Sequence, residues 1–168
     1  PARQLYEQIL ARQPNHPPAL HMLGVLKSQT GDRRGGAELI LQAIRLNPTA
    51  ASWYSNRGLI HLEGGKIDDA IADFSSAVDL VPASEVPYRN RAMAYSRKKD
   101  WAKAAADFEK VVELTPESAV AQNGLAWLLC TAPDDKVRNG TRALEAAKKA
   151  CELTDHKNGG YLDTLAAA

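Results

Sequence analysis

The sequence predicts an all-α protein of stacked antiparallel helix hairpins, an α-solenoid, and three observations support this class. Apolar residues recur at helical spacing, as Tyr54, Leu59 and Leu62 do before the Gly64 and Gly65 breaker. An alanine-rich composition with 6% aromatic residues favours helix over strand. Prolines that end helical runs recur at one constant interval, at Pro14, Pro48, Pro82 and Pro116.

Three further series share the interval of the prolines, two of small residues and one of large hydrophobic residues. They are Gly24, Gly58, Ala92 and Ala126, then Ala2, Gly36, Ala70 and Ala104, then Tyr6, Ile40, Phe74 and Phe108. Small residues let the two helices of a hairpin approach closely, and the large residue fills the space between adjacent hairpins. The spacing from one proline to the next lies in the range of roughly 20–50 residues that indicates a stacked-repeat architecture.

Small, small, large and proline residues at these offsets resemble the tetratricopeptide repeat. The resemblance covers essentially the whole chain. It implies a right-handed superhelix whose first helices line a concave groove. It also implies a scaffold that binds a protein or peptide partner, although the fold by itself does not identify that partner.

In this register the chain is predicted to form one array of full and partial repeats. Its parts are a half repeat at 2–14, full repeats at 17–48, 51–82 and 85–116, a degenerate repeat at 119–155 with a loop insertion at 131–140, and the first helix of a truncated repeat at 161–168. Incomplete repeats at both ends would expose apolar faces. This interpretation predicts head-to-tail self-association, because a terminal helix of one molecule could complete the repeat of another.

Composition and motifs argue against several other functions. The 21 Lys and Arg residues balance 20 Asp and Glu residues, whereas nucleic-acid and membrane-surface binders carry a basic excess. No apolar run is long enough to span a bilayer. Phosphate-loop, nucleophile-elbow and HExxH motifs are absent, and the histidines and the two cysteines, Cys130 and Cys151, lack metal-ligand spacing. We therefore expect no enzyme activity, no metal and no cofactor.

Helix geometry places two neighbouring series on the predicted groove face. The apolar series contains Val25, Leu59, Met93 and Trp127, and the polar series beside it contains Asn56 and Asn90. Groove asparagines of this kind resemble those with which some tetratricopeptide repeat proteins hold a peptide main chain, because a carboxamide both donates and accepts. The predicted peptide-binding residues are Asn56, Asn90, Leu59, Met93, Trp127, Arg89, Arg97 and Asn123, of which Arg89 and Arg97 would favour an acidic partner.

The same residues allow other interpretations. The asparagines could bond locally, neighbouring side chains could cover the apolar series, and Arg57 and Arg91 could be solvated or paired. His61 is interpreted as a partly buried core histidine. The scaffold would bind an extended peptide or a partner helix, and two alternatives are a recruiting or regulatory segment of a larger enzyme and a structural or engineered assembly unit that stacks through its ends.

Overall fold

The computed structural model describes residues 2–168, and these residues form ten α-helices and no strand. The helices are α1 Ala2–Arg12, α2 Pro17–Gln29, α3 Arg33–Leu46, α4 Ala51–Glu63, α5 Ile67–Leu80, α6 Glu85–Lys98, α7 Trp101–Leu114, α8 Ala119–Thr131, α9 Gly140–Glu152 and α10 Gly159–Ala167. The predicted all-α solenoid class is therefore confirmed. None of the helices in the described part is long and apolar enough to cross a membrane.

The helices pack mainly as hairpins of consecutive elements, namely α2 with α3, α4 with α5, α6 with α7 and α8 with α9. Helix α1 packs on α2, whereas α10 packs on both α8 and α9. The chain divides into two compact units, Pro1–Pro82 and Ala83–Ala168. The first unit contains α1 to α5 and the second contains α6 to α10.

The core of the first unit depends on close approach between paired helices. A Cβ atom on Gly24 would lie 2.7 Å from the carbonyl oxygen of Gly36, so α2 and α3 meet through glycine at both positions. In the next hairpin, a Cβ atom on Gly58 would lie 2.6 Å from Cε1 of Phe74. The buried side chains around these contacts include Leu20, Ile40, Ala43, Ile44, Trp53 and Ile60.

The core of the second unit uses the same helix pairing and also incorporates a long connection. Its buried residues include Ala92, Ala104, Phe108, Leu125, Leu128 and Leu129. The segment between α8 and α9 adds Ala132 and Val137 to this core, so the connection is packed. Leu165 of α10 contacts Ala126, Ala146 and Ala147.

Both cysteines lie in the second unit and both are free. Cys151 on α9 is fully buried at 0% exposure, whereas Cys130 on α8 is partly buried. Burial raises the pKa of the Cys130 thiol, because a desolvated thiolate is less stable.

The turns within three hairpins repeat one backbone conformation. Gly31, Gly65 and Lys99 have positive φ values of 100°, 76° and 64°, and they occupy equivalent positions of successive repeats. The next helix then begins after an N-cap residue. Asp32 and Asp100 accept hydrogen bonds from the backbone N–H groups of Gly35 and Lys103, whereas Lys66 provides no side-chain cap.

Candidate functional site

A pocket of about 180 Å³ lies between α2 and α4 of the first unit. It brings Asn56 and Leu59 together with residues from one face of each helix. Leu59 is 36% exposed, so it presents apolar surface to solvent. The lining residues are Val25, Ser28, Gln29, Asn56, Leu59, Ile60 and Glu63.

The carboxamide of Asn56 is oriented by a histidine on the neighbouring helix. Nδ2 of Asn56 lies 2.8 Å from Nε2 of His21. His21 is buried and stacks on Trp53, with ring centroids 5.4 Å apart and an interplanar angle of 19°. Burial lowers the pKa of His21, which favours the neutral imidazole, whose Nε2 can accept this hydrogen bond. Asn56 therefore makes a hydrogen bond between α4 and α2 that uses one of its two N–H groups.

The second unit presents the other predicted apolar groove residues on α6 and α8. Met93 is 43% exposed and Trp127 is 51% exposed, so neighbouring side chains of this unit do not cover them. Asn90 differs from Asn56 because it is buried, with only 8% of its surface exposed. It therefore offers little of its carboxamide to a ligand in this conformation.

The remaining predicted groove residues also belong to the second unit. Arg89 lies 3.7 Å from Glu85, an ion pair in which the arginine side chain is 34% exposed. Arg97 is exposed. Asn123 is partly buried, and its Oδ1 has no hydrogen-bond partner among residues 2–168. The positive charge predicted for this surface is thus partly neutralised at Arg89.

Arg57 and Arg91, for which the sequence allowed solvation or pairing, are both paired, and the ion pairs are largely buried between the helices of their hairpins. Arg57 binds Asp73 through Nε and a terminal nitrogen, and Arg91 binds Asp107 in the same way with both distances at 2.8 Å. Each pair spans 16 residues, and its carboxylate is at most 9% exposed. The hydrogen bonds that both arginines donate to these carboxylates raise the pKa of each guanidinium. The recurrence of the two aspartates at the repeat interval was the signal available in the sequence.

Further residues of the first unit lie beside Asp73 and around the pocket. His61 is partly buried, and its Nδ1 lies 3.2 Å from Oδ2 of Asp73 without hydrogen-bond geometry. Ser28, Trp53 and Ile60 were not predicted as site residues. Ser28 and Ile60 line the pocket, and the ring of Trp53 stacks on that of His21. No group of three or more potential metal ligands occurs within the described range.

Comparison with solved structures supports the architecture. A crystal structure of MamA matches with a TM-score of 0.80 and 21% identity over 92% of this chain and 88% of the other. A MamA RS-1 double mutant gives 0.81 and 19% identity, with coverage of 93% and 85%. MamA from residue 41 to its end, from Desulfovibrio magneticus RS-1, gives 0.75 and 19%, with coverage of 94% and 98%. These likenesses show the fold.

Comparison with family descriptions supports the membership predicted from the repeats. No curated protein sequence matches the chain significantly. Tetratricopeptide repeat models match residues 21–85 and 87–118, which together make up more than half of the chain. The resemblance seen in the sequence is thereby confirmed, and the chain belongs to the tetratricopeptide repeat family.

Proposed function

We propose that this protein-interaction scaffold holds an extended peptide segment of a partner protein along the groove-side faces of its first helices. The observation that carries the proposal is the pocket between α2 and α4. There Val25 and Leu59 provide apolar surface beside the carboxamide of Asn56. A side-chain amide can bond to a peptide N–H or C=O whatever the peptide sequence, while an apolar pocket adds contact area.

Exposed side chains of the second unit support the same proposal. Met93 and Trp127 each expose more than two fifths of their surface. Methionine adapts to irregular partners, and tryptophan is enriched among residues that dominate binding energy. Arg89 and Arg97 would add a preference for acidic side chains near this surface.

Peptide binding can be tested by panning a random peptide library on the whole chain and measuring selected peptides by fluorescence polarisation. We expect Asn56→Ala and Leu59→Ser each to weaken binding by about fivefold to tenfold, because each removes about 1 kcal/mol of contact. Leu46→Ser is the matched control, since Leu46 is a leucine outside the pocket that is 46% exposed. Unchanged binding by both pocket variants would contradict the proposal.

Self-association through α1 and α10 is a second candidate, favoured by two exposed leucines. Leu5 on α1 is 54% exposed and Leu162 on α10 is 41% exposed. Light scattering over a range of concentrations should show a mass that increases with concentration, and Leu5→Glu or Leu162→Glu should abolish the increase. A constant monomer mass would eliminate this candidate.

A further inference from the structure

The pocket between α2 and α4 has a size and lining that select one kind of side chain. Val25, Leu59 and Ile60 supply its apolar part. Its volume of about 180 Å³ slightly exceeds the roughly 150 Å³ of an apolar protein cavity that accommodates benzene. One side chain the size of leucine, isoleucine or methionine therefore fits, and its burial would be favourable.

The charge of the lining is negative. Glu63 is the charged residue among the seven that line the pocket. Its ion pair with Arg33 is long, at 3.7 Å, and both side chains are more than half exposed. Such a pair contributes little, so a cation from a ligand could replace Arg33 at small cost.

The hydrogen bond to His21 also gives Asn56 a definite polarity. One N–H of its carboxamide is directed to Nε2 of His21. The oxygen Oδ1 is on the other branch of the carboxamide and keeps its capacity to accept. A peptide passing this residue would therefore meet an acceptor, which suits a main-chain N–H.

We propose that this pocket receives one aliphatic side chain of a partner peptide that carries a nearby Lys or Arg beside Glu63. Oδ1 of Asn56 accepts a hydrogen bond from a main-chain N–H of the same peptide. This inference rests on the proposed function and names its ligand in the first unit. It differs from the acidic preference of Arg89 and Arg97, which applies to the second unit alone.

The test uses short peptides and nuclear magnetic resonance spectra of the whole ¹⁵N-labelled chain. The probe is acetyl-Gly-Gly-Leu-Gly-Lys-Gly-Gly-amide, compared with peptides in which Ser replaces Leu or Glu replaces Lys. We expect the probe to shift the amide signals of Val25 and Leu59 and the side-chain signal of Asn56. The Ser peptide should bind about tenfold more weakly because the buried side chain is lost, and the Glu peptide about threefold more weakly because its charge is repelled.

Two variants with the same charge change test the role of Glu63. Glu63→Gln should remove the preference for the Lys peptide over the Glu peptide. Glu38→Gln should retain it, because Glu38 is an exposed glutamate of α3 outside this pocket. Equal effects of the two variants, or a preference that survives Glu63→Gln, would overturn the assignment of the cation.

The position of the shifts separates this inference from the proposed function. Shifts confined to α6 and α8 would overturn the ligand assigned to the first unit while peptide binding itself stood. No shift with any of the three peptides would overturn the assigned ligand. If the library selection also yielded no binding peptide, the proposed peptide-binding function itself would be contradicted.

Discussion

The hairpins α4–α5 and α6–α7, one in each unit, share a buried framework. Arg57 and Asp73 in the first correspond to Arg91 and Asp107 in the second, at equivalent positions of the repeat. A tyrosine faces each arginine, with the guanidinium carbon 5.9 Å and 5.6 Å from the ring centroid. The two hairpins therefore share the ion pair that joins their helices and the tyrosine that lies beside its arginine.

The two hairpins differ at the close-packing position, the turn and the helix cap. Where the first has Gly58, Gly65 and Lys66, the second has Ala92, Lys99 and Asp100. The first thus has the better turn residue and the second has the better cap. Each hairpin therefore tolerates one unfavourable residue at its turn or its helix cap when packing and the ion pair join its helices.

The neighbouring hairpins show that the ion pair itself can be replaced. At the corresponding positions α2–α3 has Leu23 and Leu39. In α8–α9 the corresponding residues are Leu125 and Ala146, once the register on α9 is shifted to allow for the longer connection between these two helices. Apolar residues occupy both positions there, in agreement with the finding that buried ion pairs often exchange for apolar residues without loss of stability.

The largest effect should come from removing one partner of an ion pair. We expect Asp73→Ala or Asp107→Ala to lower the free energy of unfolding by about 3 kcal/mol, because the partly buried arginine loses the carboxylate that it binds. The double variant Arg57→Leu and Asp73→Leu, which copies α2–α3, should recover most of this loss. Urea unfolding followed by circular dichroism measures both. Single variants within about 0.5 kcal/mol of the parent chain would contradict the interpretation.

A smaller loss of stability is expected from exchanging the residues at the close-packing position. Gly58→Ala should destabilise by about 2 kcal/mol, because its Cβ atom would lie 2.6 Å from Cε1 of Phe74. Combining it with Phe74→Leu should relieve the overlap. Ala92→Gly should cost about 1 kcal/mol through its lower helix propensity. Thermal unfolding would disprove the packing argument if Gly58→Ala raised the midpoint.

Exchanging the turn residues should change the free energy of unfolding in opposite directions in the two hairpins. Lys99 adopts a φ of 64°, which is unfavourable for a residue with a Cβ atom. We expect Lys99→Gly to stabilise the chain by about 0.5–1 kcal/mol and Gly65→Lys to destabilise it by about the same amount. Chemical unfolding of the two variants checks the signs, and a destabilising Lys99→Gly would count against the comparison.

The smallest effects should come from the helix caps. Lys66→Asn should add about 0.5–1 kcal/mol by providing an acceptor at the start of α5, while Asp100→Ala should remove a similar amount from α7. The side chain and backbone N–H of Lys103 hold the pKa of Asp100 below its usual range. The contribution of Asp100 is therefore present near neutral pH and is lost as the pH falls through the folded-state pKa. Unfolding measured at pH 7 and in acid should show the Asp100→Ala difference shrinking.

The sequence was sufficient for the helical repeat class because its period appears directly in the spacing of small, large and proline residues. It placed Leu59, Met93 and Trp127 at positions where the structure exposes apolar side chains. It could not show that Asn56 bonds to His21, since that contact joins two helices whose relative orientation depends on how they pack. The burial of Asn90 escaped prediction for the same reason.

The fully buried Cys151 is a built-in probe of local unfolding in the native protein. A thiol reagent can modify this side chain only after α9 has loosened from its neighbours, so the labelling rate under native conditions counts those openings. With Cys130→Ser, the signal would come from a single position. Since the unit Pro1–Pro82 contains no cysteine, the measurement would follow the second unit alone without an added probe.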